Sequence, residues 1–348
     1  MLIERIEAKW IELFAGVFRD CAVRPGDVVA ILAESQSRPI LIELADLAAQ
    51  RIEARPFRLI VPTPPLSTTV PVRSTGASDA LQQLGPVIAA LKSSSFIVDL
   101  TVEGLLHAVE LPDILAGGAR VLMISNEHPE ILERTRPDPA LEPKVRDGMR
   151  RLKSASVMRV TSATGTDLDV SLRDARIGGG WGTTQRPGTI THWPGGLCLA
   201  FPAAGSVEGT LVMQPGDVNL TFKHYLRDTI RLTIEADFIT AIGGDGVDAE
   251  MMRNYLADWN DRNAYAVSHV GWGMNRLARW DALAFYDKRD CNGTELRAYA
   301  GNFLYSTGAN EVAGRHTLGH FDLPLRGCTI ALDGDVIVRD GVLQGALA

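Results

Sequence analysis

The sequence predicts a doubly wound α/β domain over residues 1–153, followed by an α+β domain rich in antiparallel sheet over residues 154–348. Three observations predict it. Short apolar runs alternate with helical patterns through the first part, as buried parallel strands and their crossover helices do. From about residue 155 the texture changes to period-two alternation, glycine and hairpin turns. A length of 348 residues accommodates two domains of about 100–200 residues each.

The elements follow in order. Apolar positions at helical spacing (Ile3, Ile6, Trp10, Leu13, Phe14, Val17) predict a helix over 3–19, broken by Pro25-Gly26. Val28–Leu32 is an apolar run of the kind buried in a parallel sheet. A helix near Ile40–Ile52, strand Arg58–Val61, helix Ala80–Lys92, strand Phe96–Leu100, helix Glu103–Ala116 and strand Arg120–Ile124 complete the first part. No GxGxxG or Walker signature opens any of these helices, so nothing points to a nucleotide. In the second part Asp167–Leu172 alternates with period two. Thr229–Glu235 and Phe238–Ile242 flank Ala236-Asp237 as a hairpin, and Thr329–Leu332 and Val336–Arg339 do the same around Asp333-Gly334-Asp335. One helix, Val247–Trp259, sits among the strands. The runs Gly178-Gly179-Gly180-Trp181-Gly182 and Gly243-Gly244-Asp245-Gly246 lack a following Lys-Ser/Thr, so they read as turns and close chain approaches.

Composition narrows the partners. Hydrophobic residues at 46% and charged residues at 22% are ordinary for a globular chain. A net charge of −7 argues against nucleic acid or an anionic membrane, both of which need a basic footprint. Lys144, Arg146, Arg150, Arg151 and Lys153 cluster, but acids and apolar residues interrupt them, as on a solvated helix face. Cys21, Cys198, Cys291 and Cys328 lie far apart without a CxxC pair, which disfavours a disulfide framework or thiolate zinc site and fits the cytoplasm. Residues Met1–Glu7 carry acids where a secretory signal needs bases, and no window reaches the ~18 apolar residues of a membrane span.

Four of the seven histidines lie in glycine- or proline-rich loops. Within Gly319-His320-Phe321-Asp322-Leu323-Pro324, an extended backbone projects His320 and Asp322 to one face and Phe321 and Leu323 to the other. His269, in Ser268-His269-Val270-Gly271-Trp272-Gly273, is a third candidate ligand. Two histidines and one carboxylate on one face of an ion leave positions open for substrate and dioxygen, the pattern of iron(II) oxygenases. Spacing alone leaves alternatives: an H-x-D in a surface loop, an interior histidine at 269, or a zinc pair of His316 and His320. The last needs a helix, which Gly314, Gly319 and Pro324 oppose.

Five segments resemble, in order, the 2,5-dihydroxypyridine 5,6-dioxygenases, whose fold is that of a family of thermophilic metallo-aminopeptidases. They are Thr191–Gly196, Glu208–Val212, Ser268–Gly273, Gly301–Gly308 and His320–Arg326. The resemblance runs nearly the whole length, with the first part matched more loosely. It implies that His269, His320 and Asp322 hold iron(II), Fe(2+), and that the partners are dioxygen and a small aromatic N-heterocycle, opened between ring carbons 5 and 6 to N-formylmaleamic acid. It also implies that a Leu-His pair, Leu106 and His107, faces the site across the interdomain cleft. Leu106 would lie against substrate, and His107, with a near-neutral pKa, would act as acid and base; the alternative is a histidine on the surface of helix 103–116. His192, before Trp193-Pro194, is expected to donate to a substrate oxygen or else to cap its loop. Glu208 is expected to orient a ligand histidine, or else to be a surface acid at a strand start.

The departures from the aminopeptidases matter as well. Where those enzymes carry a Glu ligand after the proline-glycine loop, this chain has Leu197 and Cys198, and where they carry a second Glu it has His269. Losing carboxylates removes the anionic bridge between two cations and leaves one site suited to iron(II), which disfavours peptide hydrolysis. A metallohydrolase on the same fold and a catalytically silent binding protein are the rival readings. The aminopeptidase relatives imply a homo-oligomer.

Overall fold

The run Val28–Leu32 is apolar throughout because both of its faces are covered. In the computed structural model, which describes residues 5–65, 68, 69, 79–124 and 126–348, strand Val28–Glu34 lies inside a parallel sheet. The strand order is Arg55–Val61, Val28–Glu34, Phe96–Asp99, Arg120–Met123 and Ile190–His192. On one face Val29, Ile31, Phe96 and Val98 pack with Phe14 and Phe18 of helix Ala8–Asp20 and with Leu41 and Leu44 of helix Pro39–Arg51. On the other, Ala30, Leu32, Ile97 and Val121 meet Leu91 of helix Gly85–Lys92 and Ile114 of helix Leu111–Ala116. Helices on both faces make the sheet doubly wound.

Several expectations change here. The helix expected over Glu103–Ala116 forms only from Leu111. The buried Asp99 carboxylate captures the Thr101 amide at 3.0 Å, the Thr101 hydroxyl at 2.7 Å and the Leu105 amide at 2.8 Å. These bonds compete with helical ones, and Gly104, with a φ of 79°, holds a conformation that a helix cannot use. The sheet also does not end at residue 153, because its fifth strand, Ile190–His192, pairs in parallel with Arg120–Met123. Gly178-Gly179-Gly180, expected as a turn, ends strand Arg176–Gly180, and a short helix, Thr294–Ala298, joins the one expected in the second part. At element ends, the first helix starts at Ala8, with Ile3 outside the described residues, and the helix expected from Ala80 starts at Gly85.

The rest of the chain is two antiparallel sheets. The larger runs Phe238–Gly243, Ile230–Glu235, Val207–Met213, Asp167–Ser171, Val157–Ser162, Cys328–Leu332, Asp335–Arg339, Val342–Leu343. The smaller runs Asp322–Leu325, Phe303–Thr307, Val267–Gly273, Leu197–Phe201, Arg176–Gly180. Val160, Leu168, Leu211 and Leu232 share a core with Val270, Trp272, Tyr305 and Phe321. Both expected hairpins form. At Ala236-Asp237 both residues have positive φ, and the Asp237 carboxylate accepts the amides of Gly205, Ser206 and Val207, which explains the acid in the turn. The basic cluster lies on helix Leu141–Ser154, where Arg146 pairs with Glu142 and Arg151 with Asp147. Among the described residues no helix is long and apolar enough to cross a membrane.

Candidate active site

The cleft opens where the parallel strands end. Met123 and His192 are the last residues of their strands, and both line it, which is where open α/β sheets receive ligands. The loop after Phe96–Asp99 supplies Leu106 and His107, anchored by buried Leu105 and Ala108. The facing wall comes from the smaller antiparallel sheet. Its register sets His269 opposite Ser306 and Ser306 opposite Asp322, a row across three adjacent strands. Residues directly opposite one another in a sheet point to the same face about 4.5–5.5 Å apart. Phe321 is fully buried on the far side against Tyr255 and Phe222, as the alternation requires.

Three donors meet in this row. His320 Nε2 stands 3.2 Å and His269 Nε2 3.7 Å from Asp322 Oδ1. Two ligands held about 2.1 Å from one ion, at angles of about 90–110°, lie about 3.0–3.4 Å apart, so the spacing is close to what a shared ion needs. His320 Nδ1 has no hydrogen-bond partner among the described residues, and Nε2 has no well-aligned one, with only the Asp322 carboxylate 3.2 Å away, although the residue is fully buried. An imidazole buried this way is costly unless a ligand takes up a lone pair. As the side chains stand, no group of three or more His, Cys, Asp or Glu among the described residues is arranged to hold a metal ion, the 3.7 Å between His269 and Asp322 being wider than a shared ion needs. The donor chemistry therefore carries the case.

That chemistry is two imidazole nitrogens and one anionic oxygen. Burial pushes the Asp322 carboxyl up, but the Arg297 guanidinium and the nearby His320 and His269 outweigh it and hold it well below the usual carboxylate range. Arg297 Nε donates to Oδ2 at 2.6 Å, and the Ser306 hydroxyl donates to Oδ1. Burial pushes His269 down to about 3, so its ring stays neutral.

The other expected residues divide. His107 sits at the cleft, its ring centroid 5.7 Å from those of both His269 and His320 and its Nε2 without a partner among the described residues. Burial first, then His320 and His269, hold it well below 6.5, which corrects the near-neutral expectation. It lies on a buried loop, not on a helix surface. Leu106 lines the same cleft. His192 also lines it, but its Nδ1 bonds to the Pro194 carbonyl at 2.8 Å. A carbonyl only accepts, so Nδ1 carries the proton, and burial lowers the pKa of the ring. The neutral ring can then offer Nε2 only as an acceptor, which corrects the expected donation to a substrate oxygen. Glu208 is exposed on the larger sheet, where its carboxylate accepts the Ala236 amide at 3.1 Å. It braces a hairpin and orients no site histidine.

Sequence reasoning missed Arg297, Ser306, Ser268, Asn292 and Asp99. Arg297 Nη1 donates to Asn292 Oδ1 at 2.9 Å, and Asn292 Nδ2 donates to the Val102 carbonyl at 3.3 Å. This chain of contacts ties Asp322 to the loop that carries His107. Arg297 belongs to a five-residue helix, Thr294–Ala298, too short to show a periodic pattern.

The family described as NicX, 2,5-dihydroxypyridine 5,6-dioxygenase, matches residues 9–345. The chain belongs to this family. It is 36% identical over 338 residues to the 2,5-dihydroxypyridine 5,6-dioxygenase of Pseudomonas putida, covering 96% of this chain and 95% of that one. The solved structure of 2,5-dihydroxypyridine dioxygenase from Pseudomonas putida KT2440 superposes with a TM-score of 0.92 at 34% identity, over 98% and 99% of the two chains. Wild-type AmpT from Thermus thermophilus superposes with a TM-score of 0.66 over 97% and 99%, and at 14% identity that likeness is one of fold.

Proposed function

We propose that this member of the family is itself a 2,5-dihydroxypyridine 5,6-dioxygenase, using iron(II) held by His269, His320 and Asp322. The observation that carries the reading is the buried meeting of two imidazoles and an ionised carboxylate at the cleft. Iron(II), when bound, supplies Lewis acidity and open positions for a substrate oxygen and dioxygen. The product, N-formylmaleamic acid, contains both atoms of dioxygen.

The chain's own groups bind, orient and move protons. Arg297 and Ser306 keep Asp322 ionised and fix its rotamer. Leu106, Leu197, Leu199 and Leu304 give the cleft apolar walls for a planar ring, of the kind that exclude water from a small-molecule site. His192 accepts from a substrate O–H or N–H. His107, neutral and with Nε2 free, takes the proton of the substrate hydroxyl and returns it to the opened product.

The hydrolase reading gains nothing from these residues. Leu197 is an apolar wall, and the Cys198 thiol is buried against the Val145 carbonyl and Met274, so no carboxylate stands there to hold a second cation. The test is oxygen uptake by iron-loaded protein against a panel of hydroxypyridines, with His320→Ala as the comparison. Uptake should match ring opening one to one, and His320→Ala should lose both iron and turnover. Amide hydrolysis without oxygen, at the aerobic rate, would overturn the reading.

A further inference from the structure

We propose that Ser268 is a positioning residue that locks the ring tautomer of His269 and thereby sets how tightly the site holds its metal. The inference rests on the reading of His269 as a ligand. Ser268 Oγ lies 3.0 Å from His269 Nδ1 and also bonds to the Ala309 carbonyl. A serine hydroxyl has one proton and two lone pairs. The carbonyl can only accept, so the proton goes to Ala309, and Nδ1 must donate its own hydrogen to Oγ.

The consequence appears at the other ring nitrogen. A neutral imidazole carries one N–H, so Nε2 faces the cleft as a lone pair. It stands 3.7 Å from Asp322 Oδ1, beyond hydrogen-bond reach. Two electron-rich atoms thus face each other, an arrangement that a shared cation relieves. Without the hydroxyl, the buried Nδ1–H would lose its acceptor. The proton would do better on Nε2, beside the Asp322 carboxylate, where it blocks the ligand position.

The contact depends on a local irregularity. Neighbouring residues of a regular strand point to opposite faces, so Ser268 should not reach the ring of His269. The pairing of Val267–Gly273 with Phe303–Thr307 shifts register between Val267 and His269, and this re-aims the two side chains. The acceptor is fixed from both sides: the Gly308 amide donates to the Ala266 carbonyl at 2.7 Å, and Asn310 Nδ2 donates to the Pro202 carbonyl at 2.8 Å.

The experiment measures Co(II) affinity of the full chain by chelator competition for wild type, Ser268→Ala, Ser268→Thr and His269→Ala. Partners of this kind change metal affinity by about 10–100-fold. Ser268→Ala should weaken Co(II) by that factor, and Ser268→Thr, which keeps the hydroxyl, should recover most of it. Nitrogen-15 spectra of the zinc-loaded chain add a readout that packing alone would not move. The His269 Nδ1–H signal should be present in wild type and lost to solvent exchange in Ser268→Ala. If Ser268→Ala binds Co(II) like wild type while His269→Ala does not, the role of Ser268 is overturned and the ligand reading stands. If His269→Ala also binds like wild type, both fall.

Discussion

His107→Asn separates a site built across both parts of the chain from one built by the antiparallel part alone. The ring lies 5.7 Å, centroid to centroid, from each of His269 and His320, the two proposed ligands. It is a neighbour of the site and not one of its donors, so iron content should stay within error of wild type. A positioned base contributes about 10²–10⁴ in rate, or roughly 3–5.5 kcal/mol at about 1.36 kcal/mol per decade. Asparagine keeps a polar group in the space but cannot take the proton, and turnover should fall by that factor. The pH profile has a definite sign. Burial and the neighbouring imidazoles hold His107 well below 6.5, so it is already the neutral base there, and wild type should show no acid limb near that pH from this residue. The deficit of the variant should shrink toward alkaline pH, where the substrate hydroxyl ionises without help. Steady-state oxygen consumption at saturating substrate, over about pH 6–9 and normalised to bound iron, is the assay. Unchanged turnover, or a loss that merely tracks lost iron, would refute the reasoning.

Three further outcomes follow from the same contacts. Arg297→Met leaves the Asp322 carboxylate buried without its 2.6 Å partner; breaking such a pair costs about 3–5 kcal/mol, to be read by urea unfolding, and a loss well below that range would contradict the ion pair. Burial raises Asp99 to about 6, above its unfolded value of about 3.9. The folded chain therefore holds a proton that the unfolded chain gives up, and wild type should lose up to about 3 kcal/mol relative to Asp99→Asn as pH rises from about 4 to 6; parallel stability curves would count against this. Glu208→Ala should change iron content and turnover by no measurable amount, because its exposed carboxylate accepts from the Ala236 turn, away from the cleft; a loss of iron would restore it to the site.

Much of the architecture was legible in the residues. The apolar runs at 28–32, 96–100 and 120–124 became parallel strands because two-sided burial leaves no polar alternation. The turn residues at 236–237 and 333–335 located their hairpins because positive φ favours few residue types. The H-x-D spacing put His320 and Asp322 on one face. What failed was whatever a bond between a side chain and the nearby backbone decided. Asp99 kept 100–108 out of a helix, and the Pro194 carbonyl turned His192 from donor to acceptor. Glu208 could not be placed without knowing which sheet face its strand presents.

The sequence by itself determined the alternation of strand and helix, the change to antiparallel sheet, and the residue types from which a metal centre is made, because these follow from local period and side-chain chemistry. Only the tertiary structure decided that His269, Ser306 and Asp322 form one row, that Arg297 reaches that row from a short helix, and that His107 comes to it from the other sheet. Hydrogen-bond register between strands far apart in the chain places those groups. Burial then sets their charge, leaving His269 neutral, while the guanidinium of Arg297, ahead of the two imidazoles, keeps the buried Asp322 ionised.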